Sequence, residues 1–89
     1  MEIKNIKIGL VDADLMDGGT RHPNLALLKI AGFLHDNHIP FELIEDEEIN
    51  INDYTRIYVS KVFTFTKEPA FLRKARENNT LENILIISR

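Results

Sequence analysis

The sequence has no cysteine, so disulfides, thiolate metal sites and an iron–sulfur cluster held by this chain's own thiolates are excluded. It has no run of apolar residues near the roughly 20 needed to span a bilayer. The amino terminus, Met1-Glu-Ile-Lys-Asn-Ile-Lys7, lacks the apolar core of a signal peptide. Strong charge of one sign is missing too. Eleven basic against 14 acidic residues leave a net charge of −3, too weak to draw the chain to nucleic acid or a membrane surface. These absences lead to the expectation of a cytoplasmic protein. Internal repeats and low-complexity segments are absent as well.

What remains is 89 residues with an apolar fraction of 44% and a charged fraction of 28%, ordinary values for one soluble globular domain. Such a chain buries only about 60–65% of its unfolded surface and is marginally stable.

The most informative stretch is Tyr54 to Thr66. Its middle, Ile57 to Val62, is β-branched and aromatic. Ile57 and Val59 fall on one side and Tyr58 and Val62 on the other, so both faces are apolar. That pattern belongs to a central strand of a parallel α/β sheet.

Around it, Ile3 to Val11 reads as a first strand, and 12–22 as a loop carrying three carboxylates, Gly18-Gly19 and His22. A helix is predicted from about Pro23 to about Asn37, with Leu27, Ile30, Ala31 and Leu34 in one stripe facing the sheet. Leu25 and Phe33 lie off that stripe and are candidates for apolar exposure. Either one of them folds back on a loop, or they form a docking patch for another domain.

Pro40 closes this helix, and Phe41 to Ile44 form a second strand. Glu45-Asp-Glu-Glu48 reads as a solvated connection. Its four carboxylates lack the glycine spacing of a calcium loop. Ile49 and Ile51 pin it to the core. Thr66 offers an N-cap and Glu68 a favourable first-turn charge for a second helix, whose apolar face is Phe71, Leu72 and Ala75. Asn78-Asn79 stops it, and Ile84 to Ile87 is a fourth buried strand.

Alternation of this kind specifies an α/β fold, Rossmann-like or flavodoxin-like, with an open parallel sheet of about four strands in the order 2-1-3-4. The switch point then lies between the carboxyl ends of strands 1 and 3, where ligands bind in such sheets. Asp12, Asp14, Ser60 and Lys61 are expected there in one cleft, with His22 and Asn24 beside the following helix. A Lys61–aspartate pair holding two loops together is the structural alternative to a ligand site.

The chemistry of these groups is limited. A phosphoacceptor aspartate would belong at the end of the third strand, where Ser60-Lys61 stands instead. Asp17-Gly-Gly-Thr20 could cradle phosphate through backbone N–H groups but fits neither nucleotide fingerprint, and turn chemistry explains it. Ser60 has no evident base or oxyanion partner. His22, His35 and His38 form no metal trio, and His38 suits interaction with the helix-terminal carbonyls. No catalytic residue and no metal ligand is assigned.

Two segments together, His22-Pro-Asn-Leu-Ala-Leu-Leu-Lys-Ile30 after the strand end Asp12-Ala-Asp14, and Tyr54-Thr-Arg-Ile-Tyr-Val-Ser-Lys-Val-Phe-Thr-Phe-Thr66, resemble the amino-terminal region of a group of bacterial radical S-adenosylmethionine (radical SAM) proteins. In that group the region resembles a cobalamin-binding, Rossmann-like domain and precedes a catalytic barrel. The resemblance implies a non-catalytic accessory domain, truncated or excised from a longer arrangement, that positions a substrate or a partner domain. A catalytic radical SAM domain would be its partner, and a full-length relative would use an iron–sulfur cluster and S-adenosylmethionine. The chain itself lacks the cluster cysteines. It also lacks the Asp-x-His-x-x-Gly cobalamin signature, because Asp12 is followed by Ala13-Asp14.

The other functional class is a stand-alone module binding a small molecule or phosphate ligand at the strand ends. Self-association as a twofold dimer is expected through the edge of the last strand or through the Leu25–Phe33 helix face.

Overall fold

The computed structural model describes residues 6–18, 24–61 and 66–88. Strand β1 (Ile8–Asp12) leads into a short helix α1 (Ala13–Met16), followed by helix α2 (Leu25–Asp36) and strand β2 (Phe41–Leu43). A 3-10 turn (Ile51–Asp53) precedes strand β3 (Arg56–Lys61), helix α3 (Ala70–Glu77) and strand β4 (Ile84–Ser88). The four strands are all parallel in the order β2-β1-β3-β4, the architecture expected from the sequence. β3 lies between β1 and β4, with Leu10 level with Tyr58 and Tyr58 level with Leu85.

Strand parity assigns the side chains to two layers. Ile8, Leu10 and Tyr58 meet Leu27, Ile30, Ala31 and Leu34 of α2, the stripe expected from the helical spacing. On the opposite face Val11, Ile57 and Val59 pack with Ile44 and with Phe71 and Leu72 of α3. Ile49 and Ile51 add to that layer and tie down the acidic connection, whose residues Glu45 to Glu48 are exposed.

Both long helices end alike. His38 (φ 56°) and Asn79 (φ 54°) are left-handed. The following N–H groups, Ile39 and Thr80, each donate to a carbonyl five residues back, a Schellman closure that satisfies the last carbonyls. His38 therefore acts through its backbone rather than through its ring.

Helix starts depart from expectation. Asn24 caps α2 by accepting from Leu27 N–H at 3.1 Å. The second long helix begins at Ala70 with Pro69 as its N-cap; Thr66 is not its cap. Proline has no side-chain acceptor, and the Phe71 N–H is taken by the Glu47 carbonyl at 2.8 Å, which satisfies one exposed donor of the first turn. Two short elements, α1 and the 3-10 turn, occupy stretches read as loop.

Close approach explains one glycine. A Cβ at Gly9 would fall inside van der Waals contact with Ile44 Cδ1 and 3.1 Å from Tyr54 Cδ1. The Tyr54 hydroxyl donates to Glu42, and Lys7 Nζ lies 4.8 Å from the Tyr54 ring centroid. Burial, then the bond to Glu42, pushes the Tyr54 hydroxyl up to about 12.

Candidate functional site at the carboxyl ends of the strands

The parallel ladder brings Asp12 level with Ser60, so the carboxyl ends of β1 and β3 are adjacent. Asp12 ends β1, and its carboxylate accepts from Leu15 N–H at 3.1 Å. That bond turns the chain directly into α1. The side chain is thereby engaged in starting a helix at the mouth of the switch point.

Ser60 is 2% exposed. Its hydroxyl accepts from Asn24 Nδ2 at 2.7 Å. Asn24 thus makes two bonds at once, capping α2 with its oxygen and reaching β3 with its nitrogen. Ser60 and Asn24 form a strut between the sheet and the start of the helix above it.

Lys61, the next residue, takes the opposite face by strand alternation. Its ammonium lies 3.7 Å from Glu68, not beside an aspartate as the structural alternative had it. Glu68 also accepts two bonds of 2.8 Å from Arg76 in α3. The Arg76 guanidinium, aided by Lys61, holds the Glu68 carboxyl below its ordinary value. This pairing joins the end of β3 to the segment before α3 and to its last turn.

Asp14 is 1% exposed and accepts from the Thr66 hydroxyl. Asp17 accepts from Lys67 N–H at 3.1 Å. Together they strap α1 to the segment leading into α3. His22 and most of the glycine loop lie outside the described residues.

Of the six residues singled out by sequence, Ser60 and Asn24 thus meet where α2 begins, Asp12 stands level with Ser60 but starts α1, and Asp14 and Lys61 turn toward the approach to α3. Thr66, Glu68 and Arg76 complete these contacts and were not anticipated as part of the site. Glu68 and Arg76 are eight residues apart with Pro69 between them, a spacing that carries no local pairing signal.

A small cleft of about 120 Å³ opens beside Asp12, lined by Leu15, Met16, Leu43, Ile44 and Glu45. Two carboxylates on an otherwise apolar wall would repel a phosphate and tolerate a cationic or neutral group. Among the described residues no buried side-chain polar atom lacks a hydrogen-bond partner, and no cluster of histidine and carboxylate groups suits a metal ion. No described helix is long and apolar enough to cross a membrane.

No protein-family model matches this chain, and neither a curated protein nor a solved structure matches it.

Proposed function

We propose that this chain is a non-catalytic accessory α/β domain, of the kind found at the amino terminus of radical SAM proteins, that positions a substrate or a catalytic partner domain. The observation carrying this reading is a division of labour on the surface. At the strand ends Asp12, Asn24, Ser60, Lys61 and Glu68 are spent on bonds within the chain. Large apolar side chains stand exposed on α2 instead, with Leu25 at 59%, Leu28 at 58% and Phe33 at 63%. Polar groups tied to one another stiffen a scaffold, whereas grouped apolar residues favour protein contact. Iron–sulfur and S-adenosylmethionine chemistry would belong to the partner, since this chain supplies no thiolate.

The test is a pull-down with the product of an adjacent reading frame that carries Cys-x-x-x-Cys-x-x-Cys. Co-purification that is lost in Leu25→Glu/Phe33→Glu supports the reading. A neighbouring protein of this type that never binds overturns it.

The cleft beside Asp12 favours a second reading, a stand-alone module for a small ligand. A thermal-shift screen separates the two, because a ligand bound only by the native state raises the unfolding temperature. A shift produced by a small cation or amine, and lost in Asp12→Asn, would favour the module.

A further inference from the structure

The two edges of the sheet differ in protection. Edge strand β2 spans three residues, follows Pro40 and carries Glu42, which is paired with Lys7 at 3.5 Å. Short length, proline and charge are the usual devices that keep an edge from pairing. Edge strand β4 has none of them. It spans five residues and reads Ile84-Leu-Ile-Ile-Ser88.

Its outward groups can be identified. Ile57 N–H donates to the Asn83 carbonyl at 2.8 Å. In a parallel ladder alternate residues address the same neighbour, so Asn83, Leu85 and Ile87 turn their backbone groups toward β3. Ile84, Ile86 and Ser88 turn theirs away. Ile84 N–H is used by the Leu81 carbonyl at 3.0 Å. The outward set is therefore the Ile84 carbonyl and both groups of Ile86 and of Ser88, of which the Ser88 carbonyl lies at the strand end.

This set is self-complementary under a twofold axis. With Ile86 opposite its own copy, the two Ile86 residues exchange a pair of N–H···O bonds. Each Ser88 N–H meets the Ile84 carbonyl of the second copy. All four bonds form without using the Ile84 N–H already engaged inside the chain. The same register sets Leu85, 49% exposed, opposite Ile87 of the other copy on the α2 side of the sheet. A second copy of this chain thus satisfies the backbone groups and covers the apolar side chain in one arrangement.

We infer that β4 pairs antiparallel with β4 of a second copy about Ile86, giving a twofold dimer with a continuous eight-stranded sheet. The interface is small beside a standard one of about 1,600 Å², so dimerisation depends on concentration.

Sedimentation from micromolar to millimolar concentration tests the state, and cross-linking tests the register. The mass should double across that range. Leu85→Lys, changing a side chain already in water, should raise the dissociation constant by about tenfold or more by putting charge at the edge. Phe33→Asp should leave association unchanged. Because the chain has no cysteine, Ile86→Cys gives a single thiol. Opposed residues of a hydrogen-bonded pair lie about 5.5 Å apart at Cα, within disulfide reach. Fast oxidative dimerisation is expected for Ile86→Cys and slow for Ile84→Cys. A monomer at all concentrations, loss of association in Phe33→Asp alone, or cross-linking no faster at 86 than at 84 would each overturn the proposal.

Discussion

The same four strands present two faces, and the two are covered unequally. On the α3 face, α3 is joined by α1 and by the connection 44–54. Val11, Ile57, Val59 and Leu72 reach 0% or close to it. On the α2 face, among the described residues, a single helix does the covering. Strands lie about 4.8 Å apart and a helix with side chains is about 10–12 Å wide, so one helix shields about two strands of four. The structure follows that arithmetic. Central β1 is buried at Ile8 (6%) and Leu10 (4%), while Leu43 on β2 stands at 52% and Leu85 on β4 at 49%. Exposure on this face is therefore a matter of layer width rather than of poor patterning in any one strand.

Mutation should separate the faces most sharply. Leu72→Ala opens a cavity in the complete layer and should cost about 2–5 kcal/mol. That is a large share of the roughly 5–10 kcal/mol available to a domain of this size. Phe33→Ala on the incomplete side should stay within about 0.5 kcal/mol. Urea unfolding of both variants checks the contrast. Equal losses would mean that Phe33 is covered in solution.

A smaller effect is expected at Gly9, on the α3 face. Alanine there drives a methyl into Ile44 and the Tyr54 ring. Ile44 can yield at its terminal carbon, so the loss should be about 1–3 kcal/mol. An unchanged denaturation midpoint would show that the connection 44–54 lifts away freely and that this face is incomplete too.

Much of this was legible beforehand. Period-two and period-3.6 patterns identified both layers, and the order 2-1-3-4 followed from alternation of elements. Leu25 and Phe33 were visible as apolar residues off the stripe, yet Leu28 was not. It sits beside Leu27, and only the width of the sheet under the helix decides which of two adjacent leucines is covered. The site was less legible. Ser60 and Asn24 are 36 residues apart, and Glu68, whose position suits the helix dipole, instead bonds across Pro69 to Arg76. Such pairings depend on how elements dock, and spacing along the chain does not encode them. The helix start at Ala70 was missed because its donor is satisfied by a carbonyl from the acidic connection, a contact made only after folding.

Asn24 anchors α2, the described helix that covers the incomplete face, which makes it the natural place to weaken that face. Asn24→Ala removes the cap at Leu27 and the bond to Ser60 together and should cost about 1–2 kcal/mol. Asn24→Asp retains the acceptor for Leu27, and the Ser60 hydroxyl can reverse its role and donate to the carboxylate. It should recover most of the loss. Amide exchange sharpens the result, since protection should fall along the first turn of α2 while Val59 and Leu72 stay protected. Uniform loss across both layers would mean that the two faces unfold as one and that the contrast is geometric only.

The smallest effect concerns the tie that closes the complete face at its carboxyl end. Glu68 is held below its ordinary carboxylate value first by its bonds to Arg76 and then by Lys61. A carboxyl group with a depressed folded value stabilises the fold above its unfolded value, here 4.5. The contribution disappears as pH falls through the lower folded value. Arg76 is about half in water, so solvent screening keeps the contribution below about 1 kcal/mol. Glu68→Gln should therefore be slightly less stable than the parent near neutral pH, with the difference shrinking below about pH 4. Stability curves of the two proteins from pH 3 to pH 7 check this. The α2 face offers an internal control. Its Asn24–Ser60 strut contains no titrating group in this range, so Asn24→Ala should show a pH-independent deficit. If that deficit also closed in acid, the strut would depend on the Glu68 tie across the sheet, and the two faces would be coupled through the end of β3, where Ser60 and Lys61 are consecutive.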